Sequence, residues 1–400
     1  MLLDVIDFYL FCKDNTLISV IKKKLFSPSL QMNESKLKYQ IGLTLIKGVG
    51  AFTAKKLIAA LGDEEAVFRT PKHILESIPG IGNTLSTMIT QSDVLGRAER
   101  EIDFILKNNI TAHFYTDKSY SYRLRECYDS PIVLYQKGDI DLNDKKFLGI
   151  VGTRKMTTYG KSLCEKIIAE LAERHPELIV VSGLAYGVDI CAHKKSLETN
   201  LRTIGVVGHG LDQLYPATHR QIAEKMLTHG GIVSEYVSGT TIDRNNFVAR
   251  NRIIAGLCDV VLIVESGEQG GALLTAEFAN SYNRDVCAIQ GRANDLYSIG
   301  CNNLIKKNKA AMVDCATDIE LLMNWEKKGN KREPVQTSLF LELSPNEQTI
   351  IESLQKEKQM HIDFIAHTLQ TPVNITSAIL LDMEFKGLIR CQPGGIYTIW

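Results

Sequence analysis

Short apolar runs alternate with longer amphipathic stretches through the middle of the chain. The runs are rich in valine and isoleucine, and the stretches between them have helical spacing of apolar positions. Continuous apolar runs are typical of buried parallel strands, so the alternation predicts an α/β, doubly wound and mostly parallel sheet with helices on both faces. Two flanking strands are predicted at 111–115 and 132–135. The core strands are predicted at 147–151, 179–182, 203–207, 231–234, 260–264 and 286–289.

An internal repeat precedes this pattern. Residues 43–61 and 75–89 share the form apolar–x–Gly–apolar–Gly between two helical patterns. The four glycines are Gly48, Gly50, Gly80 and Gly82. The unit resembles a tandem helix-hairpin-helix (SAM-like) module, which grips duplex phosphates through backbone N–H groups. The alternative is a packing module, and the neutral charge of the chain favours it.

The last part of the chain has the pattern of a winged helix. Ser344 followed by Glu347 is a capping box, which predicts a helix over 344–354. Two more helices and a hairpin are predicted after it, at 361–369, 373–385, 388–391 and 396–400. The third helix has almost no lysine or arginine, which is unfavourable for reading a major groove. A protein-contact or protective module is at least as consistent with this composition.

These patterns divide the chain into five segments. The segments are a loosely ordered leader (1–34), the helical domain (35–100), the Rossmann-like domain (101–325), a charged linker (326–342) and the winged helix (343–400). The leader lacks the basic start of a signal peptide. Met32 opens a cleaner helical pattern, so we expect it to be the native start.

Composition and charge limit the kinds of site that the protein can have. The net charge is zero and the pI is about 7.1, so any site for nucleic acid must be a local patch. The nine cysteines have no CxxC pair or metal-like spacing, which indicates a reducing cytoplasm and no metal. No apolar run is long enough to span a membrane. No cofactor is expected.

Candidate chemistry follows the predicted strands. Glycine, small hydroxyl residues and arginine recur at five successive carboxyl ends, beginning with Gly152-Thr153-Arg154. Ligands of parallel sheets bind at this edge, so the pattern predicts an anion-binding edge, with Arg154 as its principal phosphate donor. The predicted DNA- and phosphate-binding residues are Gly152, Thr153, Arg154, Tyr159, Gly160, Ser182, Gly183, Gly187, Gly208, Gly210, Arg250, Asn251, Arg252, Gly270, Gly271 and Thr275.

Other signatures are missing or ambiguous. The chain lacks the dinucleotide fingerprint G-x-G-x-x-G after its first core strand, lacks a P-loop, and shows no nucleophile beside a base. Asp189 and His193, four apart on one helix, suit a metal or acid/base pair; the favoured alternative is that Asp189 caps the helix and His193 bonds backbone. Glu235 and Glu265 suit general bases, but we expect them to orient arginines such as Arg250 or Arg252.

The combined motifs resemble the DNA-processing protein A (DprA, or Smf) family. The matching segments include Gly152-Thr153-Arg154, Ser182-Gly183, Gly210-Leu211-Asp212 and, most specifically, the RNRIIAGL run at 250–257. The resemblance covers about 35–400. The chain departs from the family pattern at four positions: Tyr186 stands for an arginine, His219 for an asparagine, Val248 for a proline and Gly270 for a serine.

This resemblance implies a function without catalysis. Members of the family bind and protect single-stranded DNA, dimerise through the Rossmann-like domain and load a RecA-type recombinase during natural transformation. Tyr186, Tyr215 and Phe247 are candidate stacking partners for bases. Two alternatives remain: an enzyme that hydrolyses nucleoside monophosphates at the same edge, and a structural adaptor for recombination proteins.

Overall fold

The computed structural model describes residues 28–325 and 343–399. The segment 1–27 of the leader, the linker 326–342 and Trp400 lie outside the described residues. The described chain forms two compact units. The first contains the residues up to Phe114 together with Pro131–Val133, and the second contains Tyr115–Ser130 and the residues from Leu134 onward. No helix in 28–325 or 343–399 is long and apolar enough to cross a bilayer.

The first unit is helical and contains the predicted repeat. Its first helix begins inside the predicted leader. Gly48 and Gly80 both have positive φ (86° and 83°), while Gly50 and Gly82 are the N-caps of the helices that follow. The glycine pairs are therefore equivalent, as predicted. The elements are α1 (Pro28–Leu45), α2 (Ala51–Leu61), α3 (Glu64–Arg69), α4 (Lys72–Ser77), α5 (Asn83–Gln91), α6 (Leu95–Lys107) and β1 (Thr111–Phe114).

The second unit contains the doubly wound sheet. Its strands are β2 (Val133–Gly138), β3 (Phe147–Val151), β4 (Ile179–Ser182), β5 (Arg202–Val206), β6 (Gly230–Ser234), β7 (Val260–Ile263), β8 (Asp285–Ile289) and β9 (Ala311–Val313). They lie in the order β2-β6-β5-β4-β3-β7-β8-β9, and only β2 is antiparallel to its neighbour among them. The parallel sheet is confirmed; the three-residue strand β9 was too short to be predicted.

Helices cover both faces of this sheet. They are α7 (Tyr122–Arg125), α8 (Thr158–Arg174), α9 (Val188–Glu198), α10 (Arg220–Thr228), α11 (Arg244–Leu257), α12 (Gly271–Ser281), α13 (Ile299–Lys306) and α14 (Ala316–Leu322). Along β3, Phe147 and Val151 belong to one buried cluster, and Leu148 and Ile150 belong to another. Because successive residues of a strand point to opposite faces, both faces of β3 are buried, as its continuous apolar sequence predicts.

The winged helix is also confirmed. It consists of α15 (Pro345–Glu357), β10 (Gln359–His361), α16 (Ile362–Leu369), α17 (Val373–Phe385), β11 (Ile389–Gln392) and β12 (Ile396–Ile399). The capping box of Ser344 and Glu347 is present at the start of α15. β12 lies between β10 and β11 in a small antiparallel sheet, and β10 was not predicted.

Candidate functional site

A cavity of about 740 Å³ opens at the carboxyl ends of β3 and β7. These two strands are neighbours, and the strands that follow β3 and β7 in sequence lie on opposite sides of them. Such a switch point is where open α/β sheets bind ligands. The cavity contains several of the predicted site residues: Gly152, Thr153, Arg154, Asp189, Arg250, Asn251, Gly270, Gly271 and Thr275.

Two arginines and the positive end of a helix dipole lie at this cavity. Arg154 and Arg244 both line it, and both are exposed. Within the described ranges, neither guanidinium is in an ion pair. Helix α12 begins at the cavity wall, and its N-cap Gly270 supplies no side-chain cap. The first N–H groups of a helix attract anions, so this wall and the two arginines suit a phosphate-bearing ligand.

Helix α11 supplies one wall of the cavity. Arg244, Phe247, Val248 and Asn251 lie on one face of it, at intervals of three or four residues, and all line the cavity. The sequence analysis predicted no helix over this segment, so Arg244 was missed, although its spacing from Asn251 is the signal that would have identified it.

A side chain of the protein itself lies at the start of α8. The buried carboxylate of Glu265 accepts hydrogen bonds from the backbone N–H of Thr157, at 2.9 Å, and from the Thr157 hydroxyl. A side chain at Gly160 would overlap this carboxylate, so Gly160 makes room for Glu265. The Glu265 carboxylate, and not an external anion, therefore lies at the start of α8. Glu265 therefore orients a helix and not an arginine.

Arg250 forms the floor of the cavity and points inward. Its Nη1 donates to the backbone carbonyl of Gly183, at 2.6 Å, and to that of Val206. Burial lowers the pKa of Arg250 to about 10. A side chain at Gly183 would overlap both Arg250 and Asp189, so the glycine keeps these two charges close. We infer that Arg250 holds the ends of two strands, β4 and β5, together, because its guanidinium is already bound to their backbone carbonyls.

Asp189 and His193 do not act as predicted. Gly187, not Asp189, is the N-cap of α9, and the Asp189 carboxylate instead accepts the N–H of Ala185 at 3.3 Å. Burial raises the pKa of Asp189. His193 is fully buried and bonds the hydroxyl of Thr203, at 2.7 Å, and not backbone. Its position inside the domain excludes it from the cavity lining.

Arg252 faces away from the cavity. Two residues from Arg250 on α11, it lies on another side of the helix and forms an ion pair with Glu235. The Glu235 carboxylate is thus in contact with an arginine. It also shows that Arg252 is engaged by a carboxylate, in contrast to its predicted role as a phosphate ligand.

The other predicted residues support the loops around the cavity. The Ser182 hydroxyl donates to the Ile150 carbonyl, and Tyr159 donates to the Gln290 carbonyl. Gly187 has φ +77°, and a side chain there would overlap Thr153, so it lets two strand-end loops touch. A side chain at Gly210 would overlap the Val237 carbonyl, and one at Gly208 would come into tight contact with Asn246 and Phe247.

Comparison with known families matches both parts of the second unit. The model of the family described as DNA recombination-mediator protein A matches residues 111–324. The model of the DprA winged helix domain matches residues 337–395.

Curated relatives and a solved structure agree with these matches. Protein Smf of Synechocystis sp. is 31% identical over 402 residues, covering 92% of this chain and 99% of the relative. DNA processing protein DprA of Streptococcus pneumoniae is 38% identical over 51% of this chain and 71% of the relative. The X-ray structure of DprA from the same species covers 71% of this chain and 97% of its own, with 31% identity and a TM-score of 0.62. The chain therefore belongs to the DNA recombination-mediator protein A family, whose curated members carry the names DprA and Smf.

Proposed function

We propose that this protein binds single-stranded DNA at the cavity between the ends of β3 and β7, and that it acts in DNA processing. The observation that carries this proposal is the position of Arg154 and Arg244. Both are exposed at a cavity that also receives the uncapped start of α12. This arrangement provides several donors to phosphate groups and no element shaped to enter a DNA groove.

The apolar part of the lining favours single strands over duplex. Tyr215 and Phe247 line the cavity, with ring centroids 5.6 Å apart, and Leu296 at its edge is 74% exposed. Bases of single-stranded DNA can stack on such side chains, whereas duplex bases are already stacked on one another. The names of the curated relatives, which describe DNA processing, support DNA as the ligand.

The finer role that we propose is the one that the family resemblance implies. In this proposal the protein protects incoming single-stranded DNA and loads a RecA-type recombinase on it during natural transformation, and it dimerises through the Rossmann-like domain. The cavity then serves binding and not catalysis. We keep the five segments of the sequence analysis as the proposed domain organisation.

The winged helix is proposed to contact protein. Helix α17 has no lysine or arginine between Val373 and Phe385, and it exposes Leu381 (54%) and Phe385 (82%) four residues apart on one face. A DNA-reading helix needs basic and polar side chains on its exposed face. Exposed apolar side chains instead suit a protein surface.

A competition experiment tests the proposed function. Binding of a labelled oligothymidine to the full chain is measured with three competitors: unlabelled single strand, blunt duplex of equal length and thymidine monophosphate. We expect the single strand to compete best and the monophosphate weakly. Equal or stronger competition by duplex would refute the assignment of the cavity to single strands.

The same samples test the enzyme alternative. Nucleoside monophosphates are incubated with the protein, and free base and phosphate are measured. We expect neither to be released. Steady release that the cavity variant Arg154→Ala abolishes would place the protein among nucleotide hydrolases instead.

A further inference from the structure

Tyr186 is an exposed aromatic residue outside the cavity lining, and its loop touches the loop of Arg154. Tyr186 is 46% exposed and immediately precedes Gly187. A side chain at Gly187 would come within 2.8 Å of the Arg154 Cα, so the two loops touch at this point. Tyr186 is therefore next to the arginine that we assign to phosphate binding.

The ring is held although it is exposed. It packs edge-to-face against His219, with centroids 4.9 Å apart and planes at 70°. Its hydroxyl lies 3.2 Å from the Thr218 hydroxyl. His219 is itself buried and donates from Nδ1 to the Leu184 carbonyl at 2.9 Å. A ring fixed in this way loses little conformational freedom when a ligand stacks on it.

The same loop carries a second exposed ring. Tyr215, which is 45% exposed, lines the cavity, and Thr218 and His219 follow it closely in sequence. One ring thus lines the cavity, and the other is carried by the loop that touches the loop of Arg154. Tyr186 and His219 are also two of the four positions at which the sequence departs from the family pattern, and they contact each other.

We propose that Tyr186 stacks on a nucleobase of the nucleotide next to the one held in the cavity. The inference rests on the proposed function and specifies its ligand chemistry. A strand bound by Arg154 through phosphate has its bases within reach of neighbouring rings, and aromatic rings accept any base. Where the family pattern has an arginine, this chain has thus replaced a phosphate contact with a stacking contact.

The test compares a normal oligothymidine with an abasic oligonucleotide of the same length. Tyr186→Ala is expected to weaken binding of oligothymidine about 5-fold to 150-fold, the equivalent of about 1 to 3 kcal/mol of stacking, and to leave abasic binding unchanged. Tyr186→Phe keeps the ring and is expected to bind both like the wild type. Equal losses on both oligonucleotides, or no loss on either, would overturn the proposal.

Two further variants keep the test decisive if Tyr186→Ala unfolds. Tyr186→Trp preserves an aromatic ring and is expected to show quenched indole fluorescence on binding oligothymidine but not the abasic strand. Tyr186→Arg is expected to increase the slope of log affinity against log salt by roughly 0.7, the value for one added phosphate contact. If the wild type fails to prefer single strands, the proposed function itself fails. If it prefers them and these variants do not respond, only the role of Tyr186 fails.

Discussion

The carboxylate of Glu265 takes the position at the start of α8 that a bound anion would otherwise occupy, by accepting the backbone N–H of Thr157. Thr157 in turn accepts the N–H of Gly160 through its hydroxyl, at 3.1 Å. The two residues therefore close one helix start at the sheet edge, while the start of α12 opens on the cavity. An internal carboxylate thus decides which of the two helices is available to phosphate.

This relationship predicts that Glu265→Gln destabilises the fold. Glutamine has one acceptor oxygen where the carboxylate has two, so one donor of Thr157 loses its partner in a buried site. We expect the free energy of unfolding to fall by about 1 to 3 kcal/mol in urea denaturation. Glu268→Gln, which changes an exposed carboxylate of the same loop, is the control and is expected to have little effect. Equal stability of the two variants would contradict the capping role.

Arg154→Ala is expected to be the single substitution most harmful to binding of single strands. Its planar fork can hold one phosphate in two bonds, and Gly152 and the end of β3 fix its position. Affinity should fall for all sequences alike, and the slope of log affinity against log salt should decrease by roughly 0.7. Arg154→Lys should restore the slope but only part of the affinity.

The control for charge alone is Arg202→Ala. Arg202 begins β5, at the opposite edge of the sheet, where it is paired with Asp144 at 2.7 Å. Its loss is expected to leave binding of single strands unchanged. If Arg154→Ala folds and keeps wild-type affinity and salt slope, the phosphate contact belongs to another residue, of which Arg244 is the first to test.

The sequence predicted the sheet well because buried parallel strands are continuous apolar runs, and β3 and β4 have the predicted bounds. It could not show which glycine turn stays open to ligand. That depends on Glu265, which meets Thr157 from 108 residues away in sequence. Likewise the inward direction of Arg250 depends on carbonyl groups of two other strand ends, and no local pattern reveals them.

Removal of the winged helix is expected to leave the central function intact. The domain has its own core, which includes Ile350, Leu380 and Tyr397. Arg390 donates a hydrogen bond to the carbonyl of Asn324 in the preceding domain, and this contact is polar. A protein truncated after Lys331 should fold and retain most of its affinity for single strands. Loss of nearly all binding in the same titration would show that the winged helix is the main DNA-binding element.

The burial of His193 predicts that the folded protein loses stability in acid. The Thr203 hydroxyl donates to the Val180 carbonyl at 2.9 Å, so His193 must donate to Thr203 through its Nδ1–H. Its Nε2 is then the basic nitrogen, and this atom is buried with no hydrogen-bond partner among the described residues. Burial lowers the pKa of His193 to about 3, with His219 and Arg250 adding to the effect. The folded protein therefore keeps this imidazole neutral.

The sign of the pH effect follows from these states. In the unfolded chain a histidine has a pKa near 6.5, so between about pH 6.5 and pH 3 the unfolded state binds one more proton than the folded state. The contribution of His193 to the free energy of unfolding should fall by about 1.4 kcal/mol for each pH unit below 6.5, or about 2 kcal/mol at pH 5.

Denaturation of the wild type and of His193→Asn is compared from pH 7 to pH 5. The difference between them isolates His193 from the other titrating groups. We expect the variant to be less stable at pH 7 and to lose less stability on acidification. Parallel pH curves for His193→Asn and the wild type would show that His193 takes up its proton within the folded domain.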